Sequence, residues 1–98
     1  MTKDAMRPEE SMRVELFSRP GCHLCEEAAR VLRAARRRFD FQLIERNVDT
    51  DVSWSAAYGM DVPVVVIDGR KAFKHRIPAR DLERYFERGR AKGSRSRP

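Results

Sequence analysis

The alternation of apolar and polar residues changes period several times along the chain, and each change marks an element. Arg13-Val-Glu-Leu-Phe-Ser18 alternates with a period of two and stops at Arg19-Pro20-Gly21, which predicts a short strand running into a turn. From Cys22 the spacing becomes helical, with Leu24, Ala28, Val31, Leu32, Ala35 and Phe39 on one face. Glu26 and Glu27 stand in its first turn and arginines near its end, the order that suits the helix dipole. Residues 41–45 return to strand character. Asn47-Val-Asp-Thr-Asp51 predicts a turn that supplies an N-cap to a short helix over 53–58, closed by Gly59. Asp61-Val62-Pro63 then leads into Val64-Val65-Val66-Ile67, apolar on both faces as a central strand is. Asp68-Gly69 is a two-residue hairpin signal, with 70–75 as the returning strand. Pro78 opens a last helix whose buried stripe is Leu82, Tyr85 and Phe86. The order is βαβ followed by ββα, an α/β class.

Composition narrows the class. A chain of 98 residues holds one domain, and 41% hydrophobic residues suffice for one small core. Cys22 and Cys25 lie too close in sequence to staple distant segments, which excludes a disulfide-knit secreted scaffold. The longest apolar run, Val62 to Ile67, falls well short of the roughly 20 residues a membrane-spanning helix needs. Residues 1–11 are polar and mixed in charge, unlike a signal peptide. The expectation is a small soluble cytoplasmic domain.

The net charge of +6 suggests a nucleic-acid partner until it is divided by segment. Residues 1–12 hold Lys3 and Arg7 against Asp4, Glu9 and Glu10, a contribution of −1. Residues 89–98 hold Arg90, Lys92, Arg95 and Arg97 without an acid, a contribution of +4. Both ends read as disordered by composition, leaving a body over 13–88 that carries +3. Within that body Arg30, Arg33 and Arg37 share a helix face, but no aromatics interleave them. A phosphate-tracking stripe would want such aromatics. The charge argues for solubility, and against nucleic acid as the main partner.

The Cys22-x-x-Cys25 pair is the one feature with specific chemistry. It falls between a first strand and a first helix, where the motif reads as redox-active. Cys22 sits at the helix N-terminus, where unpaired N–H groups and the dipole stabilise a thiolate. A lowered pKa gives more nucleophile at neutral pH and a better leaving group in exchange. Cys25, about one turn further in, is close enough to close a disulfide and more shielded. Cys22 is the expected attacking thiol and Cys25 the resolving one, and a protonated His23 between them would further favour the reduced state. The same pair is also half a zinc site. His23 and His75 are the only other soft ligands, too few and badly placed for a four-ligand site in one chain, so no metal is expected. A metal or iron–sulfur site shared between two chains, and two merely structural cysteines, stay open as alternatives.

Phe17-Ser-Arg-Pro-Gly-Cys-His-Leu-Cys25, Tyr58-Gly-Met-Asp-Val-Pro63 and Val66-Ile67-Asp68-Gly69 together resemble the glutaredoxin-like branch of the thioredoxin superfamily. The likeness covers about residues 13–88. It implies a thioredoxin-like four-stranded mixed sheet flanked by three helices, a cis Val62–Pro63 peptide packed against the cysteines, and thiol–disulfide oxidoreductase activity. It also implies that the Val62 backbone pairs with an extended substrate segment and that Arg19 helps the thiolate and a substrate carboxylate. The implied substrate set is then Arg19, His23, Val62 and Pro63, acting on a protein disulfide or a glutathione-type disulfide. No bound cofactor is implied, with glutathione a candidate reductant, and a monomer is expected. Two positions depart from the family pattern. Cys-His-Leu-Cys replaces the common Cys-Pro-Tyr-Cys, and Phe73-Lys74-His75-Arg76 stands where the family often has Gly-Gly and an acid. The departures leave a second reading open, a binding or redox-sensing module without turnover. Arg76 and Lys74 read either as carboxylate partners or as solvated cations.

Overall fold

The computed structural model describes residues 12–96. Four strands form one mixed sheet in the order β2-β1-β3-β4: β1 (Met12–Ser18), β2 (Phe41–Asn47), β3 (Val64–Ile67) and β4 (Arg70–Lys74). Three helices flank it: α1 (His23–Ala35), α2 (Val52–Tyr58) and α3 (Ala79–Ser96). β1 runs parallel to β2 and antiparallel to β3, and β3 is antiparallel to β4. This is the four-stranded mixed sheet with three helices that the family resemblance implied.

The period of two in β1 separates two cores. Val14 and Leu16 point to one face with Val65 and Ile67 of β3. There Ala28, Ala29, Leu32 and Ala35 of α1 and Leu82 and Phe86 of α3 cover them. The alanines let α1 approach the sheet closely, and Phe86 stacks on Phe41 at 4.7 Å between ring centroids. Phe17, Val64 and Val66 point to the opposite face, joined by Val48 and by the half-buried Trp54, Tyr58 and Val62. β3 is buried on both faces, as its uninterrupted apolar run demands.

Local chemistry sets the turns. Asp68 and Gly69 take φ of 51° and 84°, the double positive φ of a type I′ hairpin. Asp68 is tied to β1 twice: its carboxylate accepts from the Arg13 N–H at 2.9 Å, and its own N–H donates to the Arg13 carbonyl at 2.8 Å. β2 and β4 are the two edges of the sheet, and β4 displays exposed Arg70, Lys71 and Lys74.

Several boundaries differ from the sequence reading. Met12, assigned by composition to a disordered N-terminal segment, pairs with Phe41 as the first residue of β1. The rest of that segment, residues 1–11, lies outside the described residues. α1 ends at Ala35, and Phe39 is buried from the turn that follows rather than from the helix. β4 ends at Lys74, because His75 turns to a positive φ of 69°. The basic tail expected to be disordered from Gly89 has a helical backbone through Ser96. Arg, Lys and Ala are strong helix formers, able to extend a helix already anchored by Leu82 and Phe86 even where little apolar surface is buried.

Candidate active site

The register of β1 with β3 decides where the chemistry lies. Phe17 pairs with Val64, so the loop leaving β1 and the loop entering β3 emerge at the same end of the sheet. The first loop carries Arg19 to Cys22 and the second carries Asp61 to Pro63.

The first loop turns on Gly21, whose φ of 78° lies in the region glycine adopts without a Cβ clash. Cys22 follows in extended conformation as the N-cap of α1. Its Sγ accepts a hydrogen bond from the Cys25 N–H at 3.2 Å, and its carbonyl accepts from the Glu26 N–H at 3.1 Å. Cys22 thus uses its sulfur as Ser or Asp would use an oxygen, on a donor the first helical turn leaves free. The two cysteines are joined in a disulfide, with their Cα atoms 5.2 Å apart. They differ sharply in access. Cys25 is 3% exposed within the α1 face that packs on the sheet, whereas Cys22 is half-buried at the surface.

The second loop is held from three sides. The Val62–Pro63 peptide is cis, and Pro63 is fully buried. The Pro63 carbonyl accepts from the His75 N–H at 2.7 Å, and Val62 packs on the Phe17 cluster. His75 also places its Nε2 3.4 Å from a carboxylate oxygen of Asp61. The sequence pattern set His75 at the end of the returning strand and Asp61 just ahead of Val62-Pro63. It did not foresee that the two meet across the start of the cis-proline loop. A contact between positions so far apart in sequence leaves no trace in periodicity.

Arg19 binds the two loops together. Its Nη1 donates to the Gly59 carbonyl at 3.0 Å, and its Nη2 and Nε reach Asp49 at 3.1 and 3.3 Å. The guanidinium that the family resemblance aims at a substrate is therefore engaged within the fold. His23 points outward, 78% exposed, and its Nε2 lies 3.0 Å from Glu27 one turn along the helix. Of the six predicted site residues, Cys22, Cys25, Val62 and Pro63 lie on the two loops and first helical turn at one end of the sheet. Arg19 braces that end, and His23 faces away into solvent.

Beneath the second loop lies a support that the sequence pattern did not disclose as a unit. Phe17 meets Tyr58 at 4.4 Å and the edge of Trp54 at 5.6 Å between centroids, and Arg46 lies over the Trp54 ring at 5.2 Å. α2 is only seven residues long, and Asp51 caps it. The Asp51 carboxylate accepts from the Ser53 and Trp54 N–H groups at 2.8 and 3.2 Å and from the Ser53 hydroxyl. Those bonds, that from the Ser53 side chain foremost, hold its pKa below the ordinary carboxylate value. Among the described residues no group of three or more His, Cys, Asp or Glu side chains is arranged to hold a metal ion, and no helix is long and apolar enough to cross a membrane.

Three comparisons bear on this arrangement. The sequence model of a family described as "Glutaredoxin-like domain (DUF836)" matches residues 13–87. The chain is 33% identical over 73 residues to the glutaredoxin-like protein YDR286C homolog of Dictyostelium discoideum, a match covering 68% of each. Among solved structures it is similar to protein XcR50 of X. campestris, with 27% identity and a TM-score of 0.65. That match covers 76% of this chain and 96% of the other. A thioredoxin variant from Halobacterium salinarum superposes with a TM-score of 0.65 at 20% identity, over 88% of this chain and 80% of the other. This last likeness speaks to the fold alone. A thioredoxin-like fold with a paired Cys22 and Cys25 at a helix N-terminus supports a redox role.

Proposed function

The chain belongs to the glutaredoxin-like family of the thioredoxin superfamily, and on that footing we propose that it is a thiol–disulfide oxidoreductase. One observation carries the reading. Cys22 accepts a backbone N–H at the start of α1 while Cys25 is buried behind it, so the two sulfurs are unequal before any substrate arrives. In the reduced protein the N–H groups and the helix dipole favour the Cys22 thiolate. That thiolate attacks one sulfur of a substrate disulfide, the S–S bond breaks, and the other substrate sulfur departs as a thiolate that takes a proton from water. Cys25 then loses its proton to solvent and attacks the Cys22 sulfur. The second substrate thiolate leaves, and the Cys22–Cys25 disulfide re-forms. Two electrons pass to the substrate, and a thiol reductant of the glutathione kind returns the protein to its dithiol form.

The remaining assignments follow from the same reading. The Val62 backbone, entering the cis Pro63, pairs with the substrate segment. Arg19 serves by fixing the loop geometry through Gly59 and Asp49 rather than by touching substrate. His23, paired with Glu27 at the surface, adds positive charge near the site when protonated. The protein works as a monomer in a reducing cytoplasm, where dithiols of this kind persist.

The test is a thiolate titration with a turnover assay. The Cys22 thiol should titrate well below the free value of about 8.5. Cys22→Ser should reduce disulfide turnover to background, and Cys25→Ser should accumulate the mixed disulfide. A thiol that titrates near the free value, with no turnover dependent on Cys22, would leave a binding module and defeat the proposal.

A further inference from the structure

Leu24 and Val31 have the spacing of core residues, yet both are only half-buried. The reason is a groove of about 240 Å³ running along α1 from its first turn. Leu24, Glu27, Ala28 and Val31 form one wall, and His75, Arg76, Ile77 and Pro78 form the other. Leu24 lies between Cys22 and Cys25 in sequence, in the first turn of α1, so the groove starts in the same turn as the dithiol. The seven rises from Leu24 to Val31, at about 1.5 Å each, make it about 10 Å long, room for about three residues of extended chain.

The floor and sides are apolar: Leu24, Ala28, Val31, Ile77 and Pro78. The polar groups on the rim differ in their partners. Glu27 is engaged by His23 at 3.0 Å, and His75 lies 3.4 Å from Asp61. Arg76 is exposed, and its backbone N–H turns back to the Lys74 carbonyl at 2.8 Å. Its guanidinium has no ion pair or hydrogen bond among the described residues. The one charged side chain of the groove without a partner among the described residues is thus a cation with five donors in a planar fork, the group best suited to a carboxylate.

We infer that this groove receives an extended acidic segment of a protein substrate, with apolar side chains on the floor and an Asp or Glu on Arg76. The inference rests on the oxidoreductase reading for its chemistry and adds the substrate class: a protein disulfide whose cysteine has an acidic residue within about three positions. Glutathione disulfide also carries carboxylates, but its short chain offers no apolar side chain to the Leu24–Val31 wall.

Three disulfide substrates test it with the full-length protein: a peptide with Asp and Leu beside the cysteine, the same peptide with Lys for Asp, and uncharged hydroxyethyl disulfide. At low salt the Asp peptide should exceed the Lys peptide by about two- to fivefold in kcat/KM, the range one solvent-exposed ion pair supports. High salt should erase the preference, and Arg76→Glu should invert it. A preference unaltered by Arg76→Glu overturns the groove assignment, as does equal use of both peptides. Glutathione disulfide preferred over the Asp peptide also overturns it. If hydroxyethyl disulfide shows no Cys22-dependent turnover, the oxidoreductase reading falls separately. The groove is then judged by a cysteine-free Asp-Leu peptide: shifts in the NMR methyl signals of Leu24, Val31 and Ile77, lost in Arg76→Glu, uphold it, and their absence refutes it.

Discussion

On one face of the sheet Val14, Leu16, Val65 and Ile67 meet Ala28, Leu32, Leu82 and Phe86 under two helices. On the other, Phe17, Val64 and Val66 meet only Val48 and the half-buried Trp54, Tyr58 and Val62. The first face is closed by aliphatic and aromatic side chains at or near full burial. The second is held as much by polar bonds: Asp51 capping α2, and Arg19 bridging Asp49 and Gly59. It is also the face on which Val62 rests as the chain enters the cis-proline. The lesson is a division of labour. One core supplies most of the folding free energy, and the other sets the position of a loop.

Substitutions at four positions put that division at risk. The largest effect belongs to Leu32→Ala, which removes a fully buried side chain under α1 and should cost about 2–5 kcal/mol in denaturant unfolding. Trp54→Ala on the other face removes a ring contact and partial burial, and should cost about 1–2 kcal/mol. Equal losses would show that the two cores share the load and end the comparison.

An intermediate effect is expected at Arg19. Its ion pair with Asp49 is exposed while its bond to the carbonyl of the buried Gly59 is partly shielded, so Arg19→Ala should cost about 1 kcal/mol of stability. The rate of Cys22-dependent disulfide reduction should nevertheless fall several-fold, because the loops before α1 and before β3 lose their common brace. Arg19→Lys, which keeps the charge and loses the planar fork, should recover little of that rate. Full activity in Arg19→Ala would deny the second face its positioning role.

The smallest effect is a pH dependence. The folded-state pKa of Asp51 is depressed, so its contribution is present above the unfolded value and is lost as pH falls through the folded one. Below about pH 4 wild type should therefore lose slightly more thermal stability than Asp51→Asn, whose cap does not titrate. Parallel melting curves of the two proteins down to acid pH would remove Asp51 from the account.

Much of this was legible in the chain. The period of two around Val14 and Leu16, the helical spacing after Cys22, the Asp68-Gly69 turn and the cap before α2 are local signals, and local physics decides them. What the sequence withheld depends on neighbours brought from elsewhere. A helical wheel puts Leu24 and Val31 on the core face, but both stay half-buried because they face residues 75–78 across a groove. Asp61 and His75 meet only because β4 returns alongside β3. Arg19 is claimed by Gly59 and Asp49 because parallel pairing of β1 with β2 delivers Asn47, and the turn after it, beside Ser18. The dithiol was readable as chemistry, whereas its surroundings needed the fold.

The β4 edge has a consequence for how copies of this protein treat one another. Hydrogen-bonded strands sit about 4.8 Å apart, less than the screening length of about 8 Å at physiological salt. Two β4 edges approaching in register would bring Arg70, Lys71 and Lys74 of one copy against the same three of the next, with too little electrolyte between them to mask the repulsion. The edge that leaves backbone groups unpaired thus carries its own deterrent against β4-to-β4 stacking, the first step of sheet extension into a fibre.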